Sequence, residues 1–175
     1  MDLSGKIALV TGASRGIGEA LAIGLADHGT DVIICDLESE SKGLANTQKQ
    51  IEKTGKKCWS YFLDVTKKYQ IQNMVDNIIS DIGSIDILVN NAGILTPTSL
   101  EEIDEETWDN HFEVNTKGVL LMCQSVLPHM REKKSGRIIN IASIAGRQGS
   151  PTQGHYASTK SAVITLTRVL AQEVG

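Results

Sequence analysis

Tyr156 and Lys160 form the pair of residues with the clearest chemical use in this sequence. They lie four positions apart in a segment with helical spacing, so both side chains are expected on one face of a helix. A tyrosine with its ordinary pKa of about 10 is a poor base at neutral pH, whereas a nearby ammonium stabilises the phenolate and lowers that pKa. The pair is therefore suited to proton exchange with an alcohol or a carbonyl oxygen. The same spacing also occurs on helix faces that are exposed to solvent, so the pair alone does not establish a catalytic role.

Two polar residues that precede this pair are candidates for the same reaction. Ser143 follows a predicted strand, thirteen residues before Tyr156, where its hydroxyl could hold a substrate oxygen beside the phenol. Asn115 falls inside a predicted helix, an unfavourable position for asparagine unless its side chain has a task. Taken singly, Ser143 could be an ordinary loop serine and Asn115 an exposed polar position.

A glycine-rich turn, with the sequence TGASRGIG, lies between the first predicted strand and the first predicted helix. Gly12 permits a tight turn, Gly16 lets the backbone approach a pyrophosphate, and Gly18 lets the helix pack closely. The helix N-terminus adds free N–H groups and a positive dipole end for the anion. The pattern predicts a dinucleotide site, and an ordinary glycine-rich turn is the alternative. The predicted cofactor contacts here are Gly12, Ser14, Arg15, Gly16, Ile17 and Gly18.

Asp36 ends the second predicted strand, and its carboxylate bears on which dinucleotide would bind. An acidic side chain there accepts hydrogen bonds from the ribose hydroxyls and repels a 2′-phosphate, which favours NAD over NADP. A solvated aspartate that opens a loop is the alternative interpretation. Arg15 favours NADP instead, because a basic residue in the turn suits a phosphate. We give the carboxylate more weight and predict NAD, with NADP as the alternative.

The elements that must position these residues alternate along the chain. Short apolar runs predict strands over Lys6–Val10, Val32–Cys35, Cys58–Leu63, Ile85–Val89 and Arg137–Ile141. Segments with a three-and-four spacing of apolar residues predict helices over Arg15–His28, Ser41–Lys53, Lys67–Ile82, Glu101–Trp108, Phe112–Arg131 and Thr152–Val174. This order predicts an α/β fold in three layers, with a parallel sheet between helices on both faces.

The composition of the chain limits the kinds of partner that it is expected to bind. The net charge is −4 and no basic tract is present, which argues against nucleic acid and leaves a small molecule as the expected partner. The three cysteines and four histidines are scattered without ligand spacing, so no metal site is predicted. The first residues lack the pattern of a signal peptide, and the apolar runs are too short to span a membrane. We therefore expect a cytoplasmic protein.

The motifs together, T-G-x-x-x-G-x-G, N-N-A-G, an asparagine, a serine and Y-x-x-x-K in this order, resemble the short-chain dehydrogenase/reductase family over essentially all 175 residues. The resemblance implies a single Rossmann-type, doubly wound domain over 1–175, and a homo-oligomer. It also implies that Tyr156 is the acid/base, that Lys160 tunes it and binds the nicotinamide ribose, that Ser143 orients the substrate oxygen, and that Asn115 holds a water in a proton relay. The resemblance adds cofactor contacts by Asp64 and Val65, at the adenine, and by Asn91, Ala92 and Gly93.

The sequence departs from the family pattern at its end. Members of the family normally continue past the Tyr156 helix with a further strand, a mobile substrate-binding segment and a final strand. We therefore expect a C-terminally incomplete domain that lacks those strands and that segment. The predicted strand Arg137–Ile141 would then form an apolar sheet edge. The absence of these segments would affect substrate binding more than cofactor binding.

These observations support three functional hypotheses. The leading one is an NAD-dependent oxidoreductase that interconverts a secondary alcohol and a ketone. The nearest alternative is an NADP-dependent 3-oxoacyl-thioester reductase, since the turn and the N-N-A-G segment also suit such enzymes. An alternative of another class is a non-catalytic dinucleotide-binding or assembly module.

Overall fold

The sheet at the centre of the molecule has five parallel strands. The computed structural model describes residues 2–175. The strands are β1 (Ile7–Thr11), β2 (Asp31–Asp36), β3 (Cys58–Phe62), β4 (Ile87–Asn90) and β5 (Arg137–Asn140). They pair in the order β3-β2-β1-β4-β5. The predicted parallel sheet is confirmed, and each predicted strand lies within two residues of its observed bounds.

Helices cover both faces of this sheet, as predicted. They are α1 (Gly16–Asp27), α2 (Ser41–Lys53), α3 (Lys68–Asp81), α4 (Glu105–Phe112), α5 (Gly118–Glu132), α6 (Ala145–Gln148) and α7 (Gly154–Val174). On one face, Ala22 of α1 and Ile51 of α2 pack among the buried residues of the sheet. On the other face, Ile71 of α3 and Met122 of α5 form the larger core with Leu88. The three-layer Rossmann-type architecture is confirmed.

The strand order reverses between β1 and β4. The chain builds outward from β1 through β2 and β3, then returns to place β4 on the other side of β1. A crevice forms at such a switch point, outside the carboxyl ends of the strands, and it is where open α/β sheets bind ligands. The glycine-rich turn follows β1, and Asn91 follows β4. The fold therefore brings two of the predicted motifs to one crevice.

The segment between residues 100 and 117 differs from the two separate helices that the spacing predicts. A 3-10 turn covers Leu100–Glu102, and α4 begins only at Glu105, because the Asp104 carboxylate accepts a hydrogen bond from the Thr107 N–H at 2.7 Å. No break separates α4 from α5, and a π-helical turn at Glu113–Lys117 joins them instead. Such turns insert one extra residue into a helix and often mark functional sites.

Strand β5 is one of the two outer strands of the sheet, as expected for the last predicted strand. Ile139 on this strand is 46% exposed, whereas the central strand β1 is buried over most of its length. Within residues 2–175, no helix combines the length and the apolar character that crossing a membrane requires.

Candidate active site

The glycine-rich turn has the geometry that a close approach of the backbone requires. Gly12 and Gly16 have φ angles of +65° and +60°, in the left-handed region that favours glycine. A Cβ on Gly18 would lie 2.1 Å from the Gly12 carbonyl oxygen, so this glycine lets α1 begin directly against the turn. Around Gly16 a Cβ would meet nothing within 4 Å. The turn thus opens onto free space, which is the shape of a cradle for a phosphate group.

The N-N-A-G segment fastens this turn to the neighbouring strand. The Asn91 side-chain amide donates hydrogen bonds to the carbonyl oxygens of Thr11 and Gly12, each at 3.0 Å. The Thr11 hydroxyl oxygen accepts hydrogen bonds from the N–H groups of Asn91 and Ala92, also at 3.0 Å. These contacts hold the carboxyl ends of β1 and β4 in fixed positions.

Asp36 lies beside the turn and is bonded to it. One carboxylate oxygen of Asp36 accepts a hydrogen bond from the Ser14 N–H at 3.0 Å, and the other accepts from the Leu37 N–H at 2.9 Å. Each oxygen keeps a lone pair for a further donor. The guanidinium of Arg15 forms an ion pair with Glu40 at 2.6 Å, so the cation of the turn already has an acidic partner.

A cleft of about 490 Å³ connects this turn to Tyr156. All the predicted cofactor residues except Gly18 line it, namely Gly12, Ser14, Arg15, Gly16, Ile17, Asp36, Asp64, Val65, Asn91, Ala92, Gly93, Tyr156 and Lys160. The sequence analysis missed further lining residues: Cys35, Leu37, Glu40, Leu63, Ile94, Leu95, Val114, Ile141 and Ala142. Several of these, such as Leu63 and Ile141, close or directly follow predicted strands, which is the signal that could have found them.

Tyr156 and Lys160 meet at the inner end of the cleft. The Lys160 ammonium lies 5.7 Å from the centre of the Tyr156 ring and donates a hydrogen bond to the Ile141 carbonyl oxygen at 2.8 Å. Lys160 is 4% exposed, and this burial lowers the pKa of its ammonium. The site thus places a buried cation beside the phenol of Tyr156.

Asn115 occupies the centre of the π-helical turn and is fully buried. Its side-chain oxygen accepts from the Ile94 N–H at 2.7 Å, and its amide donates to the Ile94 carbonyl oxygen at 2.9 Å and to the Thr159 hydroxyl at 3.2 Å. The side chain thus joins the loop after β4 to α7, one residue from Lys160. It does not line the cleft, and its part in a water relay stays a prediction.

Ser143 lies between β5 and α6, as predicted. Its hydroxyl oxygen accepts a hydrogen bond from the Ala145 N–H at 3.2 Å, at the start of α6. The cleft lining does not include Ser143, although Ile141 and Ala142 directly before it belong to that lining. The structure therefore brings Tyr156 and Lys160 together in the cleft and leaves Ser143 at its border.

Comparison with known proteins agrees with this geometry. The family model described as short chain dehydrogenase matches residues 6–175. The chain belongs to the short-chain dehydrogenase/reductase family. It is therefore an oxidoreductase of a family that acts on CH–OH and C=O groups with NAD(P), and the intact Tyr156–Lys160 pair agrees with catalysis rather than with a non-catalytic module.

Relatives of this short-chain dehydrogenase/reductase include proteins named 3-oxoacyl-[acyl-carrier-protein] reductase FabG. The protein of that name from Thermotoga maritima is 40% identical over 174 residues, which are 99% of this chain and 70% of the relative. The one from Staphylococcus epidermidis is 40% identical over 169 residues, which are 97% of this chain and 69% of the relative. This chain thus spans about 70% of the length of these relatives.

Solved structures of the family superpose closely on the chain. A putative short-chain alcohol dehydrogenase from Sinorhizobium meliloti superposes with a TM-score of 0.93 at 37% identity. The superposition covers 98% of this chain and 68% of the chain of that dehydrogenase. A xylitol dehydrogenase with bound NAD⁺ has a TM-score of 0.95 at 31% identity, covering 99% of this chain and 66% of its own.

Proposed function

We propose that this short-chain dehydrogenase/reductase reduces the ketone of a 3-oxoacyl thioester to the secondary alcohol. The observation that carries the proposal is the similarity to the 3-oxoacyl-[acyl-carrier-protein] reductases, at 40% identity over nearly the whole chain. This similarity favours the substrate of the alternative hypothesis, a 3-oxoacyl thioester, over that of the leading one, whereas the cofactor of the leading hypothesis, NAD, is kept. The cytoplasmic location, the homo-oligomer and the single domain over 1–175 stay predictions.

The residues around the cleft fit a dinucleotide. The left-handed glycines leave an open cradle at the N-terminus of α1, no side chain caps that end of the helix, and the cleft runs from there to Tyr156. The first N–H groups of α1 would hold the pyrophosphate, and Asp36 the adenosine ribose. NAD(H) bound in this way supplies the hydride that adds to the carbonyl carbon of the substrate.

The proton that completes the reduction comes from Tyr156 in this proposal. As the carbonyl oxygen gains negative charge, the phenol O–H donates its proton to that oxygen. The Lys160 ammonium, 5.7 Å from the ring centre, stabilises the phenolate that remains. Ser143, at the border of the cleft, orients the same oxygen in this proposal. In the direction of alcohol oxidation, the phenolate accepts the same proton.

NAD(H) is the cofactor that the polar contacts favour. The Asp36 carboxylate lies beside the turn with lone pairs free for ribose hydroxyls, and its charge would repel a 2′-phosphate. Arg15, the residue that argues for NADP, is already paired with Glu40. The family as a whole uses either dinucleotide, so the preference is part of the proposal.

A second candidate is the leading hypothesis of the sequence analysis, an NAD-dependent dehydrogenase of a simple secondary alcohol. The specific observation in its favour is the close superposition on a xylitol dehydrogenase with bound NAD⁺. Both candidates share the same hydride and proton transfers and differ only in the group that flanks the reacting carbon.

A comparison of substrates separates the two candidates. The purified protein would be assayed with acetoacetyl-CoA and NADH or NADPH, and in parallel with xylitol and other secondary alcohols and NAD⁺. We expect the larger kcat/KM with acetoacetyl-CoA. Turnover of the alcohols with none of the thioester would overturn the first candidate, and the Tyr156→Phe variant serves as the blank for contaminating enzymes.

The cofactor preference is tested at Asp36. We expect Asp36→Ser to raise the ratio of NADPH to NADH efficiency by about 10- to 100-fold, since removing a like charge from a phosphate site is worth a few kcal/mol. Asp27→Ser, an exposed position at the end of α1, changes the net charge equally and should leave the ratio unchanged. A wild-type protein that binds NADPH as tightly as NADH would contradict the assignment of Asp36.

A further inference from the structure

Two buried histidines contact the backbone N–H and C=O of one residue, Thr96, in the loop after β4. The Thr96 N–H donates a hydrogen bond to Nε2 of His111 at 3.3 Å, and Nε2 of His155 lies 3.0 Å from the Thr96 carbonyl oxygen. Nδ1 of His111 lies 2.7 Å from the Thr107 carbonyl oxygen. The two rings contact each other edge to face, with centroids 4.1 Å apart. His111 is 2% exposed and His155 is fully buried.

These contacts fix the protons on both rings. His111 must accept at Nε2 and therefore carries its proton on Nδ1, where it donates to Thr107. His155 must carry a proton on Nε2 in order to donate to the Thr96 carbonyl oxygen. Nδ1 of His155 is buried with no partner among the described residues, so a second proton there would find no acceptor. Both imidazoles are thus neutral in this arrangement.

The contacts lie between the substrate side of the cleft and the helix of Tyr156. Ile94 and Leu95, just before Thr96, line the cleft, and His155 directly precedes Tyr156. The Thr98 N–H also donates to the Thr152 carbonyl oxygen at 2.8 Å. Thr152 has a φ angle of +61°, a strained value for a β-branched residue that persists only where surrounding contacts hold it. Direct hydrogen bonds therefore connect the loop to the start of α7.

We propose that His111 and His155 are positioning residues, a neutral pair that fixes the Thr96 loop against the start of α7 and thereby places Tyr156 beside the substrate carbonyl. The inference rests on the proposed function for its catalytic consequence. Proton uptake by either ring breaks the arrangement: at His111 it removes the acceptor for the Thr96 N–H, and at His155 it adds a buried donor without a partner. The two cations would also repel each other at this distance.

The charged groups on the surrounding elements do not relieve this repulsion. They are Glu101 and Glu102 of the loop, Asp104 before α4, Glu105, Glu106 and Asp109 of α4, Glu113 and Lys117 of the π-helical turn, and Lys160 of α7. Across residues 2–175, none of the carboxylates forms an ion pair with either ring. Burial lowers the pKa of His111 below its ordinary value of 6.5 and outweighs the hydrogen bond to the Thr107 carbonyl oxygen, which acts to raise it. His111 therefore stays neutral at pH 7, and its hydrogen bond from the Thr96 N–H is lost only in acid below pH 6.5.

The first test uses the wild-type protein and needs no substrate. Hydrogen exchange of the Thr96 amide would be measured between pH 7.5 and about pH 4.5, corrected at each pH for the intrinsic rate. Because the pKa of His111 lies below 6.5, we expect the protection factor to hold at pH 7.5 and to fall about tenfold or more in acid below pH 6.5, as for a lost hydrogen bond. Amides of β1 in the same sample should keep their protection. Unchanged protection at residue 96 would overturn the proposal, even if the proposed substrate proved wrong.

The second test is a pH profile of variants. His111→Gln keeps an acceptor that does not titrate, so we expect it to retain activity at pH 7.5 and to lose the acid limb of the kcat profile below about pH 6.5. His155→Phe keeps the ring but removes the donor, and we expect kcat to fall about tenfold while the NADH dissociation constant changes less than about threefold. His28→Gln, on the exposed end of α1, is the matched control. An acid limb that persists in His111→Gln, or an unchanged kcat in His155→Phe, would contradict the proposal.

Discussion

The two ends of the cleft are held together in different ways. At the cofactor end, the side chains of Asn91 and Asp36 bond directly to the turn, and the Thr11 hydroxyl of the turn accepts from the Ala92 N–H. A Cβ would clash at Gly18. At the substrate end, residues 147–152 are all exposed, and a few contacts to the loop after β4 connect them to the rest. Cofactor binding here thus depends on a rigid local structure, whereas catalysis depends on longer-range positioning of Tyr156.

The largest expected effect comes from removing the Tyr156 hydroxyl, which should impair catalysis and leave cofactor binding intact. We expect Tyr156→Phe to lower kcat by about 10³-fold, because the phenol O–H is the only group lost and general acid catalysis contributes on this scale. NADH binding, measured by fluorescence titration, should change by less than about threefold, since the ring and its packing remain. Tyr69→Phe, on an exposed tyrosine of α3, is the control. A kcat close to that of the wild type would remove Tyr156 from the mechanism.

The next effect should fall on the cofactor end alone. In Gly18→Ala the new Cβ would lie 2.1 Å from the Gly12 carbonyl oxygen and 2.5 Å from the Asn91 amide nitrogen, so the turn must shift. We expect a loss of about 3 kcal/mol in the free energy of unfolding and at least about tenfold weaker NADH binding. Urea denaturation and fluorescence titration measure the two quantities.

Gly24→Ala is the matched control for that change. Gly24 lies on the same helix, and a Cβ there meets nothing within 4 Å. We expect this variant to gain about 0.5–1 kcal/mol, because alanine favours a helix over glycine. Equal destabilisation by both substitutions would mean that the rigid turn is not what distinguishes the cofactor end.

The same contrast explains what the sequence could predict. The glycine turn, Asp36 and the Tyr156–Lys160 pair are local patterns, and each lies where its spacing predicts. The π-helical turn at Asn115 could not be predicted, because its register depends on contacts to Ile94 and Thr159, which are distant in the chain. The contact of His111 and His155 was also hidden, since the two residues are forty-four positions apart. Glu40 contacts Arg15 because of the course of the chain after β2, and the periodicity of the sequence does not predict that contact.

A region remote from both ends of the cleft provides a reference for substitutions that change only the stability of the fold. Asp86 precedes β4 and accepts hydrogen bonds from the Ile7 N–H and the Lys133 ammonium, both at 3.0 Å. Burial acts to raise its pKa, but these two bonds and the charges of Lys133 and Lys6 outweigh it, so the pKa lies below the ordinary 3.8. The stabilisation is therefore complete above about pH 4 and lost as the pH falls through the lowered pKa.

We expect Asp86→Asn to cost about 1–2 kcal/mol at pH 7 and to leave kcat and NADH binding unchanged. The difference from the wild type should shrink below pH 3.8, where the unfolded chain binds the proton first. Urea denaturation at pH 7 and pH 3 checks both statements. A change in NADH binding at pH 7 would show that the cleft is coupled to the amino ends of the strands, where Asp86 lies.

The smallest expected effect lies at the outer rim of the cofactor end. Glu40→Gln removes the acidic partner of Arg15, whose side chain is 76% exposed, and frees the guanidinium for a 2′-phosphate. An exposed pair contributes at most about 1 kcal/mol, so the ratio of NADPH to NADH efficiency should rise only about two- to fivefold, and stability should hardly change. The shift should also shrink in high salt, because an exposed charge is screened. Glu38→Gln is the control, because Glu38 begins the short 3-10 turn Glu38–Glu40 that contains Glu40 and forms no ion pair with Arg15. If both variants shift the ratio equally, net charge governs the preference, and the pairing of Arg15 with Glu40 does not.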